Sequence, residues 1–109
     1  MTFKRDYYFN KLDDFLSRRE YESIYNSFFN CYSEIEHLVK KDDKILDVGC
    51  GIGLLVNHFK EESYNIIGID NHIYNEKYKK IYHTLNINGS IKLINFENYD
   101  TSNKFDLII

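Results

Sequence analysis

Between Lys44 and Gly53 the chain reads Lys-Ile-Leu-Asp-Val-Gly-Cys-Gly-Ile-Gly, and few folds accommodate that order of residues. A short apolar run ends near an acid, glycines follow at every second position from Gly49, and a helix-like stretch begins at Leu54. Apolar runs of this length suit strands buried on both faces of a sheet. Glycine permits the positive φ that a sharp exit from a strand requires. A strand, a glycine-rich turn and a helix in succession build a ligand crevice at the carboxyl ends of a parallel sheet.

The rest of the chain fits an α/β sheet. Residues 11–39 carry apolar side chains at steps of three and four, among them Tyr21, Ile24, Tyr25, Phe28, Tyr32 and Ile35. That spacing predicts an amphipathic N-terminal helical segment, broken near Ser17, whose aromatic stripe faces a core. Strands are predicted over 44–48, 66–69, 91–96 and 105–109, with helices over 52–62 and 74–85 between them. Alternation of this kind predicts a Rossmann-like parallel sheet with right-handed crossovers. We read residues 1–109 as a single domain, with 1–39 packing on it as a helical segment. The apolar run 105–109 has no turn or cap after it. It is read as the fourth strand of an incomplete sheet, with an edge open to pairing.

Composition narrows the function classes. A net charge of −3 gives no general electrostatic reason to expect nucleic acid. No apolar h-region opens the chain and no run reaches membrane-span length, so a cytoplasmic protein is expected. The cysteines, Cys31 and Cys50, form neither a zinc pattern nor a Cys-x-x-Cys pair. Cys31 is expected to be a small core residue. His37, His58, His72 and His83 show no metal-ligand spacing and are read as exposed or capping residues, with His72 nearest the expected pocket.

Asp70 ends the second apolar run, seventeen residues after Gly53. An acid at that place can accept hydrogen bonds from both hydroxyls of a ribose. The dinucleotide fingerprint Gly-x-Gly-x-x-Gly is not met, because Leu54 or Val56 stands where its last glycine belongs. A Walker A loop is excluded, since no Gly-Lys-Ser/Thr follows.

The stretch 47–53 closely resembles motif I of the class I S-adenosylmethionine-dependent methyltransferases, acid-x-Gly-x-Gly-x-Gly. Phe105-Asp106-Leu107-Ile108-Ile109 resembles their strand-four motif. The likeness covers roughly residues 35–109, the amino-terminal half of the family's sheet. It implies S-adenosyl-L-methionine as cofactor, with Asp47, Gly49, Cys50, Gly51 and Gly53 around the methionine end. Asp70 would take the ribose, with Asn71 beside it and Ile73 against the adenine. Asn98, or else Glu97, would bond the adenine amino group, and Tyr99 would either stack on the ring or pack. The family's catalytic groups commonly follow strand four, so no catalytic residue is assigned and the methyl acceptor stays open. Two other readings remain: a non-catalytic binding or interaction module, and a Rossmann-type NAD-dependent oxidoreductase.

Overall fold

A computed structural model describes residues 4–71, 75–102 and 104–109. The described chain forms α1 (Arg5–Leu12), α2 (Arg18–Ile35), β1 (Lys44–Val48), α3 (Leu54–Glu61), β2 (Asn65–Asp70), α4 (Glu76–Thr84), β3 (Ile91–Leu93) and β4 (Leu107–Ile108). The four strands make one parallel sheet in the order β3-β2-β1-β4. The fold is therefore Rossmann-like α/β, with flanking helices and an N-terminal helical segment. The direction of strand addition reverses between β1 and β4, and in open α/β sheets ligands bind at the carboxyl ends of the strands around such a reversal. Among the described residues no helix is long and apolar enough to cross a membrane.

The break near Ser17 is a helix start with a full capping box. Ser17 Oγ accepts the Glu20 N–H at 3.1 Å, and Glu20 Oε1 accepts the Ser17 N–H at 3.0 Å. This reciprocal pair satisfies two N–H groups that a helix start otherwise leaves open. From there Tyr21, Tyr25, Phe28 and Tyr32 form one buried row along α2. The row fixes the rotation of the helix. Tyr32 meets His58 and Phe59 of α3 with ring centroids 4.9 and 5.7 Å apart.

Helix α1 falls within the expected helical segment 1–39, mostly ahead of residues 11–39, where the apolar period is read. It buries Tyr8 and Leu12, one turn apart, while its other positions are mostly charged or exposed. Two tyrosine hydroxyls tie it down: Tyr21 donates to the Arg5 carbonyl at 2.6 Å, and Tyr8 donates to Glu61 Oε2 at 2.7 Å. The second bond joins α1 to the end of α3.

The predicted third strand is shortened. Pairing with β2 covers Gly68–Ile91, Ile69–Lys92 and Asp70–Leu93, and the Ile94 N–H still donates to the Asp70 carbonyl. Asn95 then leads into a 3-10 turn, Phe96–Asn98, so the expected strand stops before residue 96. The fourth strand is likewise two residues, Leu107–Ile108, held beside β1. His72, the histidine nearest the expected pocket, Ile73, expected against the adenine, and Tyr74, the expected helix start, lie outside the described residues.

Candidate functional site

The glycine loop is anchored from three directions. Its first two N–H groups, Gly49 and Cys50, both donate to the Ile69 carbonyl of β2, at 2.8 and 3.0 Å. The Gly51 N–H donates to Asp70 Oδ2 at 2.8 Å, and its carbonyl accepts the Tyr82 hydroxyl of α4 at 2.6 Å. The Gly53 N–H turns back onto the Cys50 carbonyl, and the Gly53 carbonyl accepts the Asn57 N–H of α3's opening turn. The backbone N–H and carbonyl of Gly51 are thus both held by side chains from other elements.

The loop's glycines do different things. Gly49, Gly51 and Gly53 all have positive φ, at +73°, +57° and +88°. A Cβ added at Gly49 or Gly51 would point into open space. At Gly53 it would come within 2.5 Å of Ile87 Cδ1, so this glycine admits the packing of Ile87 against α3. Gly68, which was not singled out from the sequence, supports the loop from beneath. A Cβ there would meet Cys50 Cβ and Val56 Cγ2 at 2.8 Å each. A glycine inside an apolar strand is the signal that could have found it, since it marks close approach by another backbone.

A cavity of about 300 Å³ opens on the α2 side of the loop, bordered by Asp47, Gly49, Cys50, Gly51 and the α2 residues Ser23, Ser27, Phe28 and Cys31. A second, of about 410 Å³, lies beyond β2 and is bordered by Gly49, Asp70, Asn71, Ile94, Phe96 and Glu97. Gly49 borders both. The sequence-predicted residues therefore divide into two groups flanking one loop. Gly53 and Asn98 border neither cavity, and the Asn98 N–H closes the 3-10 turn onto the Asn95 carbonyl. Glu97 does border the second. Tyr99 packs against Phe105, with ring centroids 6.2 Å apart.

The two acids differ in partners. Asp70 accepts the Gly51 N–H on one oxygen and the Asn71 N–H, at 2.7 Å, on the other. Asp47 is 7% exposed and has no hydrogen bond or ion pair with a described residue. Burial first, and the Asp70 charge second, raise its pKa from 3.8 to about 7. Burial also pushes the Cys50 thiol up to about 12, helped by the charges of Asp47 and Asp70, and it raises Cys31. Neither thiol is a ready nucleophile, because the thiolate is the reactive form. Cys31 is half-buried at the cavity wall rather than sealed in the core.

His58 departs from the exposed or capping role expected of it. It is 4% exposed, packed against Phe28, Tyr32 and Phe59, and its pKa is lowered by burial. His37 and His83 are exposed. Among the described residues no cluster of three or more His, Cys, Asp or Glu could hold a metal ion.

Compared with protein-family models and with curated proteins, the chain matches none.

Proposed function

We propose that this chain binds S-adenosyl-L-methionine and is the cofactor-binding part of a class I methyltransferase. One observation carries the reading: Asp47, a largely buried carboxylate without a hydrogen-bonding partner among the described residues, borders a cavity against the glycine loop. Burying a carboxylate without partners is costly, so such a group suits a site completed by a ligand cation or donor. The bare Cβ directions of Gly49 and Gly51 leave room for close approach of that ligand.

The donor set fits the cofactor from end to end. Asp47 would pair with the ammonium of the methionine moiety. Asp70, whose oxygens accept the Gly51 and Asn71 N–H groups at the end of β2, would take the ribose hydroxyls. Ile94 and Phe96 would lie against the adenine, and Glu97 would accept from its amino group. When bound, the cofactor supplies an electrophilic methyl group on a sulfonium. The protein's share is orientation of donor and acceptor. An acceptor of any class remains compatible with these residues.

A nicotinamide dinucleotide fits less well. Its pyrophosphate would lie at the glycine loop beside the Asp47 carboxylate, which has no role in binding a pyrophosphate and whose negative charge disfavours it. Thermal denaturation of the chain with S-adenosylhomocysteine, and separately with NAD, tests the choice. The expected result is a rise in Tm with S-adenosylhomocysteine alone. A rise with NAD alone, or with neither ligand, would overturn the proposal.

A further inference from the structure

The cavity beside Asp47 has a wall that the glycine motif does not supply. Ser23, Ser27 and Cys31 border it from α2, and they stand four residues apart, along one line of the helix surface. The adjacent line is the aromatic row Tyr21, Tyr25, Phe28 and Tyr32, which is buried. Because that row is locked against α1 and α3, the small-residue line is held facing the glycine loop and is not free to roll away. Large side chains at 23 or 27 would enter the space in front of Asp47. Small ones leave it open, and the two serines, both solvent-exposed, place hydroxyl groups around the mouth. The Asp47 carboxylate on the opposite side, without a partner among the described residues, independently points to a ligand in this space.

We infer that α2 is the specificity wall for the amino-acid end of the ligand, with Ser23 and Ser27 setting the size and polarity of the tail admitted beside Asp47. This rests on the reading of the glycine loop as a site for S-adenosylmethionine. The tail carries an ammonium and a carboxylate. Asp47 answers the first, and hydroxyl donors on α2 answer the second. The nucleoside end, in the cavity beyond β2, does not touch α2.

The division can be read by calorimetric titration with two probes that share nucleoside and sulfur. S-adenosylhomocysteine carries the amino-acid tail, and 5′-methylthioadenosine has only a methyl group there. In Ser27→Phe the affinity for S-adenosylhomocysteine should fall about tenfold or more, the scale of overpacking a filled site, while that for 5′-methylthioadenosine stays within about twofold of wild type. Retained binding of the second probe also reports a folded variant. Ser23→Leu should show the same selectivity. Unchanged affinity for S-adenosylhomocysteine in both variants, or an equal loss of both probes in both variants, would overturn the assignment of α2. Wild-type protein that binds neither probe would instead overturn the cofactor reading beneath it.

Discussion

Asp47 and Asp70 sit near the carboxyl ends of neighbouring parallel strands, either side of one glycine loop, and the fold treats their carboxylates in opposite ways. Asp70 is built into the loop, accepting the Gly51 and Asn71 N–H groups. Asp47 is buried at least as deeply and is given no partner among the described residues. The strand register explains part of this. Asp47 pairs across to Gly68, within the sheet, whereas Asp70 stands one step beyond the Val48–Ile69 pair, level with the loop's backbone. Position along the strand decides whether an acid meets N–H groups or a cavity. An acid that holds the loop should matter to stability first, and an acid that waits in a cavity should matter to binding at some expense of stability.

The largest effect should come from removing the built-in acid. Asp70→Ala leaves two backbone N–H groups without their charged acceptor, and hydrogen bonds to charged groups are worth about 1.5–3 kcal/mol each. Water will recover part of this at the exposed Asn71 but less at Gly51. Urea unfolding should show a loss of about 3 kcal/mol. If the variant proves as stable as wild type, the contrast between the two acids is broken on its structural side.

Asp47→Asn should move stability the other way, and its effect should depend on pH. The carboxyl titrates at 3.8 when unconstrained and at about 7 in the fold. Below pH 3.8 it is protonated folded and unfolded alike. Between 3.8 and about 7 the folded state keeps a proton that the unfolded state releases, so its contribution to stability declines as pH rises and levels off above about 7. The asparagine variant lacks that decline. It should therefore be the more stable protein at pH 8, by about 1 kcal/mol or more, with the advantage shrinking toward pH 4. The same substitution should weaken S-adenosylhomocysteine. Parallel stability–pH curves for the two proteins would show that Asp47 is not a strained carboxylate.

These contrasts also mark where the sequence could be read. β1, α3 and β2 were legible because their signals are local: apolar runs, a glycine turn, an acid at a strand end. The start of α2 was legible for the same reason, as Ser17 and Glu20 lie three residues apart. Helix α1 was covered only by the broad helical segment 1–39 and not by a period of its own, because charged and exposed residues outnumber Tyr8 and Leu12 and dilute it. The early end of β3 depends on the chain turning at Asn95, which an apolar run up to residue 94 does not announce. The cavity wall was the least accessible. No spacing rule links Ser27 to Asp47, since their facing positions are set by how the aromatic row of α2 docks on α3. The partners of the Gly51 N–H and carbonyl, Asp70 and Tyr82, are likewise long-range.

Tyr82 offers the finest test of the loop's construction. Its ring is buried, and its hydroxyl donates to the Gly51 carbonyl, opposite the N–H that Asp70 holds. Tyr82→Phe keeps the ring and its packing but deletes the donor, leaving that carbonyl only a weak contact from the Cys50 thiol at 3.9 Å. The expected cost is about 1 kcal/mol in urea unfolding, the net worth of one neutral hydrogen bond. Because Gly51 borders the first cavity and its N–H is held by Asp70, which borders the second, freeing its carbonyl should loosen the loop toward both. The affinities for S-adenosylhomocysteine and for 5′-methylthioadenosine should then fall together, by less than about tenfold. That pattern is distinct from the selective loss expected of Ser27→Phe. A tail-selective loss in Tyr82→Phe would mean that the loop is held for the Asp47 side alone, and that Asp70 keeps its own side in place without help from α4.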